Sequence, residues 1–271
     1  SIHYASRIQR ALLPGEKTLS SIPQHFILFK PRDIVSGDFY WMTQKGSTSY
    51  VVAADCTGHG VPGAFMSMLG ISFLNEIVNK FGVLEVDQIL NQLRANVISS
   101  LKQTGKKDEA KDGMDLAMLI INWETLDMQF AGANNPVYVV RPLTDEELKE
   151  QEEMEAKGEE VKLPKGAMRD QNYELDQIKA DKMPIGIYVK GDKPFKKHSM
   201  ELQKDYSLYI FSDGYVDQFG GPKQRKFMSK PFKKLLLQIQ PKPMEEQRQI
   251  LDDAIENWKK EGNTEQVDDI L

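Results

Sequence analysis

The stretch DLAMLIINWETLDMQFAGANNPVYVVR, residues 115–141, holds three apolar, β-branched runs parted by two short polar breaks. Such runs read as strands. Neither break can hold a crossover helix, so the three strands are predicted to form an antiparallel meander. Upstream, SYVVAAD (49–55) is a buried strand ending in a carboxylate. KPRDIVSGDFYWM (30–42) is a turn with Pro31 and Gly37 followed by an aromatic strand, and HFILFK (25–30) reads as another strand. Downstream, DYSLYIFSDG (205–214) is again a buried strand ending in Asp. Helices lie between. AFMSMLGISFLNEIVNKF (64–81) is apolar on most faces and is expected in the core. Val86, Ile89, Leu90, Leu93, Val97 and Leu101 form a helical stripe, with Asp87 suited to that helix's N-terminus. Two helices close the chain. The second, from about Met244 to Glu261, carries Ile250, Leu251, Ala254, Ile255 and Trp258 on one face, with Gly262 as its expected left-handed terminator. Short strands with helices grouped between them predict an α+β layered domain, not a doubly wound parallel sheet.

The composition narrows the function. Among 271 residues, 35 Lys and Arg face 40 Asp and Glu, a net charge of −5. That balance argues against nucleic-acid binding, which needs a basic surface to displace counterions. A single cysteine, Cys56, rules out an intrachain disulfide and suits a reducing, cytoplasmic setting. The reading finds no apolar run long enough for a membrane segment and no signal peptide. SIHYASRIQRALLP (1–14) reads as the end of an amphipathic helix, with Ile2, Ala5, Ile8 and Leu12 near one face. QVDDIL (266–271) reads as a strand truncated in mid-course. The expected organisation is thus an upstream linker helix over 1–14 and one domain over 15–271. Residues 143–172, almost without large apolar groups, form a polar surface insertion within it, mobile and in part helical.

Aspartates stand where strands run out: Asp38 in SGDFYW, Asp55 in VVAADCTGHG, Asp213 in LYIFSDGY, and Asp268 and Asp269 in QVDDIL. An Asp after a strand is often only a turn former. Their joint occurrence after buried strands is what points to a site. If the strand ends converge, the clustered charge needs a cation, and an all-oxygen donor set selects Mg²⁺ or Mn²⁺ over zinc or copper. So many carboxylates suit two metal ions, an arrangement that activates water for attack on phosphorus. Asp115, Asn134 and Asn135 read as turn residues, and Met66 and Met68 as core.

KPRDIVSGDFYW, VVAADCTGHGVPGAFMSMLG, FAGANNPVYVVR, ADKMPIGI, LYIFSDGYVDQFGG and EQVDDIL occur in order. This ordered set resembles the bacterial stage II sporulation E (SpoIIE)/RsbU-type serine phosphatases, a branch of the metal-dependent type 2C (PPM) protein phosphatases. The resemblance implies a four-layer α/β/β/α sandwich of two mainly antiparallel sheets flanked by helices. It implies hydrolysis of phosphoserine or phosphothreonine on a regulatory protein, such as an anti-sigma-factor antagonist, with two Mn²⁺ or Mg²⁺ ions as cofactors. By that resemblance Asp55 bridges both metals and the Cys56 carbonyl completes one shell. Asp213 and Asp268 hold the other ion, Asp269 is the second choice within the pair, and Asp38 orients water. A bridging hydroxide is the nucleophile. His59 stands four positions after Asp55, unlike the histidine of eukaryotic relatives, and is set with Arg32 as substrate-binding. The long helix after Gly63 is the candidate regulatory element. An upstream sensor domain and a homodimer through the N-terminal helix are the expected partners besides the phosphoprotein. The rival expectation is a catalytically silent phosphoprotein-binding module of the same fold. Another two-metal phosphoryl enzyme is disfavoured by the acidic balance and the lack of a phosphate-cradling glycine loop.

Overall fold

The computed structural model describes residues 2–80, 82, 85–107, 109–191 and 193–271. In chain order the elements are α1 (Ile2–Leu12), α2 (Glu16–Leu19), β1 (Phe39–Lys45), β2 (Thr48–Cys56), α3 (Gly60–Lys80) and α4 (Val86–Ser100). There follow β3 (Met114–Asn122), β4 (Asp127–Ala133), β5 (Val137–Pro142), α5 (Asp145–Ala156), β6 (Met168–Asp170), β7 (Tyr173–Ile178), β8 (His198–Glu201) and β9 (Ser207–Tyr209). The last are α6 (Gly214–Asp217), a ribbon of β10 (Phe219–Gly220) and β11 (Arg225–Lys226), α7 (Ser229–Ile239) and α8 (Met244–Gly262).

One sheet has the order β1-β2-β3-β4-β8 and the other β6-β7-β5-β9, and every pairing within them is antiparallel. Strand β3 explains the layering. Its side chains alternate between faces. Leu116, Met118 and Ile120 pack with Leu74, Ile77, Leu90 and Leu93 of α3 and α4. Ala117, Leu119 and Ile121 point the other way, into a cluster with Val137, Ile178 and Leu208 of the second sheet. The second sheet's outer face, with Tyr138, Val140 and Leu175, is covered by Phe232, Leu236, Leu251 and Ile255 of α7 and α8. The result is the expected α+β sandwich of two sheets flanked by helices.

Several local expectations change. The 115–141 segment is not one meander. Strands β3 and β4 pair, but β4 gives its other edge to β8, so β5 crosses to the second sheet between β7 and β9. The GANNP break is therefore a corner between sheets, with Asn134 left-handed at φ 61°. HFILFK is an extended segment and not a ladder strand. Its Lys30 pairs with Ile270, each N–H donating to the other's carbonyl at 2.8 and 3.0 Å. The 205–214 strand shortens to β9, after which Ser212 N–H donates to the Leu271 carbonyl at 3.0 Å. Asn263, at φ 49°, takes the left-handed position expected of Gly262. The helix expected to end at Phe81 is described to Lys80, Phe81 lying outside the described residues.

Helix α3 corrects the membrane reading in one respect: by length and composition it is apolar enough to cross a bilayer. Here it buries Ala64, Met66, Ile71, Leu74, Ile77 and Val78, and most of these sit in the core against the first sheet. Helix α1 faces the domain with polar side chains. Ser6 and Gln9 are the buried residues, while Tyr4, Ile8 and Leu12 are exposed.

The polar insertion is held by charge instead of apolar burial. Thr144 and Glu147 form a reciprocal capping box at the start of α5. Arg141 binds Glu147 at 2.8 Å and Glu174 at 2.9 Å, while Arg169 binds Glu174 and Glu150. The Arg141 hydrogen bond holds the Glu147 carboxyl down at about 2, against an ordinary 4.5. A lowered carboxyl contributes stability that is present above its ordinary value and lost as pH falls towards about 2. Glu147→Gln keeps the cap but removes the charge. In denaturant titrations followed by circular dichroism, it is expected to lower stability at neutral pH by on the order of 1 kcal/mol after solvent screening. It should also flatten the fall in stability between about pH 4.5 and 2.

Candidate active site

The site lies at one end of the sandwich. Phe39 of β1 pairs with Ala54 of β2, so Asp38, one residue earlier, comes up beside Asp55. Asp55 in turn pairs directly with Asp115 of β3. Asp115 continues the row, its Oδ1 accepting from the Asn134 amide at 2.8 Å. Asp115 is thus a strand residue in the site's row and not the turn residue expected. From the second sheet's side come Asp213, just before α6, and Asp268 with Asp269 near the chain's end.

Backbone crossings set this convergence. A Cβ at Gly214 would lie 1.8 Å from the Asp269 carbonyl oxygen, so only glycine lets the segment after Asp213 lie against the Asp268–Asp269 pair. A Cβ at Gly63 would lie 2.3 Å from the Gly58 carbonyl oxygen and 2.8 Å from Gly37 Cα. The start of α3, the loop after Asp55 and the loop before Asp38 therefore touch through bare backbone. The Cys56 carbonyl oxygen faces this junction, 3.4 Å from where a Gly37 Cβ would stand.

The carboxylates feel one another. Burial pushes Asp38 well above the usual carboxylate range; a Ser212 hydrogen bond opposes this, and Asp269, Asp268 and Asp213 add repulsion. Burial pushes Asp55 up to about 10, helped by the charges of Asp38 and Asp213 and by a hydrogen bond shared with Asp213. Burial also raises Asp268, again with Asp213 and Asp269 nearby, while His59 favours its ionised form. Asp115 is raised by burial with Asp213 as its charged neighbour. Like charges gathered in a buried place favour a bound proton or a cation among them.

The remaining expected residues divide. Asp269 is buried and both its oxygens are engaged, Oδ1 by Arg32 N–H and Oδ2 by Gly37 N–H, each at 2.7 Å. It clamps the loop that leads into Asp38. The Arg32 side chain is exposed. His59 is exposed, its Nδ1 3.2 Å from Asp33 Oδ2. Burial raises the Cys56 thiol, with Asp38 and Asp55 adding to it, so this sulfur is an inert neighbour and any ligand role falls to its carbonyl.

Among the described residues, no three His, Cys, Asp or Glu side chains are drawn close enough to cage a cation as they stand. The donors nevertheless fit one. They are hard oxygens, and Asp38 Oδ2 is buried with no hydrogen-bond partner. An orphaned buried carboxylate oxygen beside four other acids is costly unless a cation meets it.

The family model for stage II sporulation protein E matches residues 45–159. No curated protein matches the chain significantly in sequence. Among solved structures, the SiaA PP2C domain of Pseudomonas aeruginosa aligns with TM-score 0.77 and 27% identity, over 99% of this chain and 92% of that one. A Bacillus subtilis SpoIIE structure, the PP2C phosphatase domain with a fragment of its regulatory domain, aligns with TM-score 0.60 and 17% identity. That alignment covers 90% of this chain and 58% of the other. RsbX in complex with magnesium aligns with TM-score 0.52 and 12% identity, over 90% of this chain and 89% of that one. The chain is thus similar in sequence to the SpoIIE family over residues 45–159, and in fold to PP2C phosphatase domains over nearly its whole length.

The family match spans Asp55, Asp115 and Asn134 but not Asp38, Asp213, Asp268 or Asp269. Sequence reasoning missed three site neighbours: Asp115, Asp33 and Ser212. Strand pairing held the signal for Asp115, since correct β2–β3 register sets it opposite Asp55. Asp33 and Ser212 had no local signal, because their partners lie 26 and more than 100 residues away.

Asp269→Ala should unpin two backbone amides and cost about 1.5–3 kcal/mol in urea unfolding, the scale of a hydrogen bond to a charged group. Asp268→Ala, which also relieves repulsion, should shift the urea midpoint far less.

Proposed function

We propose that this domain is a metal-dependent protein serine/threonine phosphatase. The observation that carries the reading is the buried Oδ2 of Asp38, which has no hydrogen-bond partner and stands among the charges of Asp213, Asp268 and Asp269. Asp38, Asp55, Asp213 and Asp268, with the Cys56 carbonyl, are the groups that would hold two Mn²⁺ or Mg²⁺ ions. Bound there, the cations would supply Lewis-acid neutralisation of phosphoryl charge and activate water for in-line attack. The chain's own contributions are distinct. Asp269 fixes the loop that carries Arg32 and Asp38. The exposed Arg32 guanidinium is free to donate to the phosphate as a bidentate partner. His59, tethered by Asp33, stands at the rim on the Asp268 side. The reading includes an anti-sigma-factor antagonist or a similar small phosphoprotein as substrate. It also includes an upstream sensor acting through α1, a homodimer through that helix, and a cytoplasmic location.

One observation favours a second reading, a silent phosphoprotein-binding module: the acids are near one another but not gathered into a cage among the described residues. Kinetics separate the two. The protein should hydrolyse p-nitrophenyl phosphate and a phosphoserine protein with Mn²⁺ and lose both activities in chelator. Asp55→Asn and Asp213→Asn should each lower turnover by about a hundredfold or more, the scale of losing a main electrostatic contribution. Full activity in chelator removes the metal mechanism, and phosphoprotein binding without turnover selects the silent module.

A further inference from the structure

A cleft of about 510 Å³ lies beside the site, walled by His3, Arg7 and Arg10 of α1 and by Pro31, Asp33 and Ile34 of the facing loop. Its charge is unusual for this chain. Arg141, Arg169 and Arg248 are all engaged by carboxylates. Arg7 and Arg10 are exposed, and neither has a carboxylate partner among the described residues. The Arg7 guanidinium lies over the Tyr4 ring at 5.0 Å, which steadies it without neutralising it. Arg32, between two of the lining residues, is likewise exposed and without an acidic partner. Two arginines without a carboxylate partner, with Arg32 beside them, give this cleft a positive lining.

The cleft shares a wall with the acidic cluster. Gln9, on the buried side of α1, holds the loop between them: its Nε2 donates to the Ser36 carbonyl at 2.6 Å, and its Oε1 accepts from Ser36 N–H at 3.0 Å. The same Nε2 donates to Ser67 Oγ of α3 at 2.8 Å. At the other end of the loop, Asp33 lines the cleft and pairs with His59. Only five positions separate Asp33 from Asp38. At no more than about 3.3–3.6 Å per residue, an extended peptide of about five residues or fewer reaches from one to the other.

We propose that this cleft docks acidic residues flanking the phosphoserine of the protein substrate, with Arg7 and Arg10 as the anchoring charges. The phosphatase reading supplies the phosphoserine, but docking can be measured without turnover. Charge complementarity chooses the occupant: a segment rich in Asp or Glu is attracted to the paired guanidinium groups of Arg7 and Arg10.

The test uses fluorescence anisotropy in chelator, so that hydrolysis is off, with labelled phosphoserine peptides carrying acidic or basic flanks. Wild-type protein should prefer the acidic-flank peptide. Arg7→Glu/Arg10→Glu should weaken its binding about tenfold or more, the scale of a few exposed charge contacts, and added salt should shrink the difference. Lys149→Glu, an exposed control on α5, should leave binding unchanged. With Mn²⁺, the double variant should raise KM for the acidic peptide and leave p-nitrophenyl phosphate turnover at the wild-type level. Unchanged peptide binding in the double variant overturns the proposal. So does equal weakening by Lys149→Glu, or charge-dependent binding to anionic vesicles with none to the peptide. If peptide docking depends on Arg7 and Arg10 but no substrate is hydrolysed, the cleft stands and the phosphatase reading falls.

Discussion

Like charges crowded at one end of two stacked sheets are the constraint on which the rest of the structure turns. Each carboxylate there is more costly for having the others near, and burial raises that cost. What holds them together is backbone. Gly214 lies against the Asp269 carbonyl, and Gly37, Gly58 and Gly63 meet with no side chain between them. The favourable side of the balance is spread over the whole sandwich. Strand β3 is apolar on both faces, so burying it ties α3 and α4 to one side and the second sheet to the other. Apolar burial far from the site thus supports a polar cluster that would not assemble by itself.

Within the cluster the acids are not equivalent. Asp269 is satisfied by two amide donors, whereas Asp38 keeps an oxygen buried and unpaired. Asp55, at the end of β2, feels the charges of Asp38 and Asp213. The arrangement separates an acid that shapes the loop from acids still in need of a counter-charge. Neighbours in sequence, such as Asp268 and Asp269, fall on opposite sides of that division.

The loop from Pro31 to Asp38 links three regions. Asp269 fixes it from the chain's end, Gln9 fixes it from α1, and Asp33 reaches from it to His59. Gln9 thus ties α1 to Ser36, two residues before Asp38. This also accounts for the polar inner face of α1. Its buried polar residues have specific partners in the loop and in α3, and its apolar residues are left outside.

The sequence by itself determined most element types, the α+β class and the identity of most of the acids, because these follow from local periodicity and from carboxylates set after apolar runs. Val86 to Val97 reads as a helix from spacing alone, and SYVVAAD as a strand. Tertiary structure alone decided which sheet takes β5, since that depends on β8 occupying the edge of β4. It also decided that Asp115 stands beside Asp55, and that Asp269 serves amides 232 and 237 residues away. Local pattern records what a residue is able to do. Which partner it meets is fixed by register and chain crossing, and those are set by contacts far apart in sequence.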